Sequence, residues 1–343
     1  MFKVAVAGLG FGAAVLVPAF RQIDNVKLIA ISGRTLSKAL TISNGLQIPF
    51  GSAAYESLLD FSPDAVAIAL PPTENAKAAA FFLSKGIPVF CEKPIAGTME
   101  DARKLVMLSN GITTAVDFQF AELAAFEIAK AAVQQGKVGT VRHVQLTWMV
   151  ESYANQHNVD TWKRNSEHYG GVLTMLAPHI FYLMRWMFGS ITGISVEMSQ
   201  AGQKWVNGSY LAPDTLHLYA ELEGEIRLSA IISNASPGFS MHRWEIVGTE
   251  ASLIVENTTK DYMAGFTTTL ADRRGIHALV LSEVPNQDDG RIVATASLAR
   301  RFVSAARQGQ QMQPSLEDGF KVQSAMETAV RSNNSRRMIR PED

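Results

Sequence analysis

The sequence holds a single cysteine, Cys91, in 343 residues, which excludes any intrachain disulfide and fits a reducing, cytoplasmic setting. It has no excess of charge: 31 Lys and Arg face 32 Asp and Glu, a formal net charge of -1. A basic field for nucleic acid is therefore missing, and no long like-charge run stands out. Apolar runs are broken by Gly, Pro or charge well short of a bilayer span, so no membrane segment is expected. The opening Met1-Phe2-Lys3 leads directly into a strand-like run rather than a signal peptide. Repeats and low-complexity tracts are absent. No cluster of His, Cys, Asp and Glu has metal-ligand spacing, so no metal is expected. No nucleophile elbow supports Ser-His-Asp hydrolysis. What remains is a globular composition, 47% hydrophobic and 18% charged, long enough for two domains with real cores.

The first motif lies at the start. Phe2–Ala7 is a short β-favouring run, followed by Gly8-Leu9-Gly10-Phe11-Gly12-Ala13 and a helix-like stretch, Ala14–Phe20. Strand, glycine turn and helix form the context in which G-x-G-x-x-A binds a dinucleotide. Gly8 would make the turn, Gly10 would let the backbone approach the phosphates, and Ala13 would let helix and strand pack closely. Phe11 and Gly12 complete the loop. The helix N-terminus offers free N–H groups and a positive dipole end to a pyrophosphate. Pro18 inside that helix should shorten or kink it.

A second strand, Val26–Ile31, follows. A carboxylate at its end would bond a ribose 2′-OH and favour NAD. The chain instead has Ser32-Gly33-Arg34-Thr35-Leu36-Ser37-Lys38. Arg34 can fork onto a 2′-phosphate, and Ser32, Thr35 or Ser37 can add hydroxyl donors. The expected cofactor is NADP(H), with NAD(H) possible if Arg34 only stacks on adenine.

Strands and helices alternate to about residue 120, which predicts a doubly wound parallel sheet. Ala65–Leu70 is a buried strand closed by Pro71-Pro72, and Glu74–Lys85 a helix. Ile87–Cys91 is the next strand, ending at Glu92-Lys93-Pro94. Thr98 caps a helix, with Asp101 three residues on, and Thr113–Val116 is a further strand. The pattern then changes. A helix near Ala124–Gln135 leads into a long strand, Val141–Val150. Longer alternating runs follow, among them Leu216–Leu222, Ile226–Ile232 and Trp244–Val247. These predict one open, mostly antiparallel sheet, whose flat face is a candidate subunit interface. A final helix spans Leu316–Arg331, and the polar tail from Asn334 is expected to fray. The fold class is thus α/β: a dinucleotide-binding domain over 1–120, and an α+β substrate-binding and oligomerisation domain over 121–343 whose last helix can pack back on the first domain.

Lys93 stands at the carboxyl end of a predicted parallel strand, where ligands bind in open α/β sheets. A lysine there can protonate a carbonyl oxygen as hydride arrives, or take a hydroxyl proton during oxidation. The alternative is a surface lysine paired with a carboxylate.

GLGFGA, then VFCEKP, then Gly170-Gly171-Val172-Leu173 with His179, then Pro314-Ser315-Leu316-Glu317-Asp318-Gly319 occur in an order that resembles the Gfo/Idh/MocA family over nearly the whole chain. The resemblance implies a Rossmann domain with a second α/β domain. It implies NAD(P)-dependent redox chemistry at a carbon–oxygen centre of a sugar-like or cyclic small molecule, and a homodimer or homotetramer through the large sheet. It marks Lys93 and His179 as catalytic, with His179 bonding the reacting oxygen or relaying a proton; the alternative for His179 is a satisfied histidine in an apolar helix, since Ile180-Phe181-Tyr182-Leu183 follow. Glu92 and the loop Leu70-Pro71-Pro72 would seat the nicotinamide end. Trp162, Lys163 and Arg164 resemble a Trp-Arg segment near the active site, where Arg164 or Lys163 could hold an anionic substrate group or a cofactor phosphate; Trp162 is equally a core candidate, and Gln119 is a further candidate for the cleft.

The departures bear on substrate. Met175 stands where many members carry Asp, Ala177 replaces a glycine, Tyr182 stands where a second Asp is common, and Asn75 replaces a frequent histidine. Met175 and Tyr182 would make that wall more apolar, unless Tyr182 supplies a hydroxyl. Two other readings stay open: a non-catalytic NADP-binding sensor on the same fold, and a reductase of a non-sugar substrate of the biliverdin-reductase kind.

Overall fold

The computed structural model describes residues 1–159, 161–200, 211–280 and 289–341. The chain divides into two compact units. The first comprises Met1–Gln119 with Arg291–Gln323, the second Phe120–Gly290 with Ser324–Asp343. The segment from Arg291 to Gln323, expected in the second domain, belongs to the first unit.

In the first unit, six strands form a parallel sheet: β1 (Phe2–Ala7), β2 (Val26–Ser32), β3 (Phe50–Ser52), β4 (Ala65–Ile68), β5 (Val89–Cys91) and β6 (Thr114–Val116). Their order is β3-β2-β1-β4-β5-β6. The direction of winding reverses between β1 and β4, the place where such sheets open a crevice at their carboxyl ends. β1 and β4 are buried almost throughout, as continuous apolar runs in a doubly covered sheet demand. Phe90 of β5 lies edge-to-face with Phe20 (centroids 5.5 Å apart) and Phe302 (5.7 Å). All three rings are fully buried with Val6 and Leu298, and each contributes roughly 1.5–3 kcal/mol of apolar burial.

Phe302 and Leu298 come from a helix, Arg291–Gln308, that the sequence reading missed. Its buried stripe is built largely of alanine (Ala294, Ala296, Ala299, Ala305), which dilutes the apolar periodicity.

Pro18 has the predicted effect by a specific route. Gly12–Leu16 forms a wide turn in which the Val17 N–H donates to the Gly12 carbonyl, and a regular helix, Val17–Arg21, then begins with Pro18 in its first turn. Proline's missing N–H costs nothing there. The helix after the proline loop starts at Pro72, two residues earlier than predicted, with Pro71 as its cap. Thr98 caps Met99–Leu108 as expected: its Oγ accepts from the Asp101 N–H at 3.1 Å and donates to the Asp101 carboxylate at 2.8 Å.

Among the described residues, the second unit contains eight strands: β7 (Val141–Met149), β8 (Ile191–Ser199), β9 (Thr215–Leu222), β10 (Arg227–Ser233), β11 (Met241–Gly248), β12 (Ser252–Asn257), β13 (Thr267–Asp272) and β14 (Gly275–Val280). They run in the order β14-β13-β12-β11-β7-β10-β9-β8, and only β7 and β10 pair in parallel. Side chains alternate. Leu146, Trp148, Leu218, Leu228, Ile232 and Trp244 are buried, whereas Gln145, His217, Tyr219 and Ser229 face outward. The last helix runs to Ser335, and Ile339 exchanges backbone hydrogen bonds with Ile194 of β8 at 2.8 and 2.9 Å.

Candidate functional site

Four adjacent strand ends of the parallel sheet, those of β2, β1, β4 and β5, carry the cofactor candidates. At the end of β1, Gly8 has φ +125°, and a Cβ built there would lie 2.2 Å from the Ala69 carbonyl oxygen, so only glycine fits. Gly10 is exposed, and a Cβ on it would meet nothing within 4 Å. The turn thus presents bare backbone in front of the helix start, a shape that fits a pyrophosphate. Gly12 is buried against Val6, and Phe11 lies 5.4 Å from the Arg291 guanidinium, a cation beside the loop that sequence reasoning did not find. At the end of β2, Ser32 is buried and its carbonyl accepts from the Gly8 N–H at 2.9 Å, while Arg34 is exposed. A free guanidinium and no following carboxylate is a donor set suited to a phosphate.

At the end of β4, Leu70 and Pro71 are half-buried and Pro72 is buried. Asn75, fully buried on the helix that follows, joins this loop to the next strand end. Its amide donates to the Glu92 carbonyl at 2.8 Å and the Pro94 carbonyl at 3.3 Å, and its oxygen accepts from the Leu70 N–H at 3.4 Å. The residue that departs from the family pattern therefore has a structural task, holding the Glu92-Lys93-Pro94 turn. The Lys93–Pro94 peptide is cis. Lys93 is half-buried, and Glu92 and Asp117 are buried. Cys91, behind them, is inert: burial, then the Glu92 charge, push its thiol up to about 12.

Gln119 does not project into open space. It is buried, and with its amide nitrogen turned toward Asp117 it donates to both carboxyl oxygens at 3.1 and 3.0 Å. Asp117 itself escaped the sequence reading. The available signal was its place after an apolar strand, the same signal that singled out Lys93.

The substrate candidates of the second unit sit on one connected stretch. Trp162–Arg164 forms a single helical turn, and the Lys163 carbonyl accepts from the Gly171 N–H at 2.9 Å. Arg164 is buried and committed to its own loop, donating to Asn158 Oδ1 at 2.9 Å. Trp162 and Met175 are half-buried. Val172–Met175 makes one turn before the helix Ala177–Phe188, which carries His179 and Tyr182, both buried. The His179 ring lies edge-to-face on Phe120 at 5.0 Å and 6.2 Å from Trp148. The aromatic cluster fixes the plane of the imidazole.

Residues 2–113 match the description "Oxidoreductase family, NAD-binding Rossmann fold" and residues 130–340 "Oxidoreductase family, C-terminal alpha/beta domain". The chain belongs to the Gfo/Idh/MocA oxidoreductase family. An uncharacterized oxidoreductase of Synechocystis is 28% identical over 98% of this chain and 95% of its own length. Levoglucosan dehydrogenase of Pseudarthrobacter phenanthrenivorans is 23% identical over 78% of this chain and 77% of its own. Glucose-6-phosphate 3-dehydrogenase of Bacillus subtilis is 22% identical over 95% of each. Among solved structures, a levoglucosan dehydrogenase in complex with NADH superposes with a TM-score of 0.88 at 19% identity, covering 100% of this chain and 99% of that one. An oxidoreductase domain protein from Kribbella flavida gives 0.88 at 20%, with the same coverage.

Among the described residues, no group of three or more His, Cys, Asp or Glu could hold a metal ion. Among the same residues, no helix is long and apolar enough to cross a membrane.

Proposed function

We propose that this oxidoreductase moves a hydride between NADP(H) and a carbonyl or alcohol carbon of a sugar-like or cyclic small molecule, with Lys93 handling the proton. One observation carries this reading. A glycine turn with open backbone, a proline loop and a half-buried lysine stand on the ends of β1, β4 and β5, adjacent strands flanking the point where the sheet reverses direction. Relatives named for dehydrogenation of levoglucosan and of glucose 6-phosphate support the substrate class.

The cofactor, when bound, supplies or accepts the hydride. The turn Gly8–Ala13 would hold its pyrophosphate, and Pro71, Pro72 and the Glu92-Lys93-Pro94 turn would border its nicotinamide end. Arg34 would take the 2′-phosphate and give the preference for NADP(H), NAD(H) binding more weakly. In oxidation, the Lys93 amine accepts the hydroxyl proton as the carbon loses hydride. In reduction, the Lys93 ammonium returns that proton to the oxygen. His179 is assigned a hydrogen bond to the same oxygen, and Trp162, Met175 and Tyr182 an apolar share of the substrate surface. Arg164, whose guanidinium donates to Asn158 Oδ1, would border that surface and could hold an anionic substrate group.

Screening sugars, keto-sugars and cyclic alcohols by NADPH absorbance identifies the substrate. With it in hand, Lys93→Met should keep NADPH affinity and lose at least about a hundredfold in turnover, the scale of general acid–base catalysis. Undiminished turnover would remove Lys93 from the mechanism. Tight cofactor binding with no turnover of any compound would favour the sensor reading.

A further inference from the structure

One stripe of the helix Arg291–Gln308 leads from the core of the first unit to the glycine turn. Phe302, Leu298, Thr295 and Arg291 follow one another at helical spacing and so share a face. Phe302 and Leu298 are fully buried, and Phe11 of the glycine turn packs against the same cluster. Thr295, a turn further on, is buried too. Its hydroxyl lies 3.4 Å from Asp117 Oδ2, just past the carboxyl end of β6. One more turn reaches Arg291, which is half-buried, with its guanidinium 5.4 Å from the centroid of the Phe11 ring. A single helix face thus carries a cation to the same side of the sheet as the strand ends, and sets it beside the residue between Gly10 and Gly12.

The electrostatics of that place favour an anion. Arg291 is the first residue of an 18-residue helix, where the helix dipole is positive and disfavours a cation, and the first turn holds no acid to offset it. The neighbouring turn contributes bare backbone at Gly10 rather than a carboxylate. A guanidinium offers a planar fork of donors that matches phosphate oxygens. An aromatic ring attracts such a cation without taking its hydrogen bonds, so Phe11 can brace Arg291 while it bonds phosphate.

We propose that Arg291 is a cofactor-positioning residue: its guanidinium, braced on Phe11, holds the pyrophosphate of the dinucleotide from outside the glycine motif. Its task differs from that of Arg34. The 2′-phosphate assigned to Arg34 exists only in NADP(H), whereas the pyrophosphate is common to NADP(H) and NAD(H). The inference rests on the cofactor reading of the glycine turn, and on neither the role proposed for Lys93 nor that for Arg34.

Calorimetric titration of NADPH and of NADH tests it without turnover. Arg291→Met should weaken both cofactors by the same factor, at least about tenfold, the value of charge-assisted bonds to one oxyanion. Arg291→Lys keeps the charge but not the fork, so it should fall between Arg291→Met and wild type for both. A loss confined to NADPH would place Arg291 on the 2′-phosphate and overturn the assignment. Unchanged affinity for both cofactors would overturn it as well. The acid nearest in sequence among the described residues is Asp289, and a lower denaturation midpoint with cofactor binding intact would make Arg291 a structural partner of that loop instead. Should Arg291→Met fail to fold, Arg291→Lys decides: equal weakening of both cofactors supports the proposal, and wild-type affinity overturns it. A wild type that binds NADH as tightly as NADPH contradicts only the preference ascribed to Arg34, and the Arg291 comparison is then read on NADH. A wild type that binds neither overturns the cofactor site itself, and Arg291 with it.

Discussion

Asn75 ties two loops with one side chain. Its amide satisfies the Glu92 and Pro94 carbonyls, and its oxygen the Leu70 N–H, all at a fully buried position. Asn75→Leu strands those backbone groups. It should cost about 1–3 kcal/mol in chemical denaturation, the penalty for buried polar groups left without partners. It should also lower turnover by loosening the lysine turn. A variant within about 0.5 kcal/mol of wild type, inside the range of an ordinary surface change, would show that the staple carries no weight. Arg34 makes the second residue-scale prediction. Arg34→Ala should weaken NADPH binding by at least about tenfold, the value of charge-assisted bonds, and leave NADH nearly unaffected. Equal losses for both cofactors in calorimetry would end the case for a 2′-phosphate contact.

Elements explain what the sequence disclosed and what it withheld. The glycine turn, the proline loop and Lys93 were legible because each is a local string at the end of an apolar run, and strand ends are where open α/β sheets bind ligands. The place of Asp117, whose N–H donates to the Cys91 carbonyl, was not legible, because it depends on the β5–β6 register between residues 25 positions apart. The wide turn before Pro18 was only half legible. Proline announces a break, but whether the chain kinks or widens depends on packing against the sheet. The helix Arg291–Gln308 was hidden by its small residues, and its membership of the first unit is a tertiary fact.

β11 adds a pH dependence that concerns stability rather than catalysis. His242 is fully buried, stacked on Trp148 at 4.4 Å, and its Nε2 accepts from the Trp244 indole N–H at 2.9 Å. Burial pushes its ring down to about 3, so the native state keeps it neutral. The unfolded chain protonates it near 6.5. Between those values the unfolded state binds more protons, so stability falls as pH falls, by up to about 1.4 kcal/mol per pH unit. Denaturation free energies measured from neutral pH down to pH about 4 should carry this slope. His242→Gln should be less steep in that window, and an identical slope would contradict the assignment.

At the scale of the whole molecule, the eight-stranded sheet has one face that carries exposed side chains among the described residues. Gln145, His217, Tyr219 and Ser229 point outward from three central strands, and Ser229 bonds Gln145 across them at 2.8 Å. We propose this face as the interface of a homodimer or homotetramer, since a broad flat sheet can supply the roughly 800 Å² per partner that a stable interface needs. Tyr219→Asp should then reduce the mass in sedimentation velocity toward that of a single chain while sparing NADPH binding. A wild-type protein that sediments as one chain would refute the proposal.

The central claim is that the NADP(H)-linked reaction is a hydride transfer whose proton passes through Lys93. Mass spectrometry of the product formed from NADPH carrying deuterium at both C4 positions tests it directly. The wild type should place the deuterium on the reduced carbon, and Lys93→Met should do so at least about a hundredfold more slowly at equal cofactor occupancy. Product without deuterium, or equal rates from both proteins, would contradict the account.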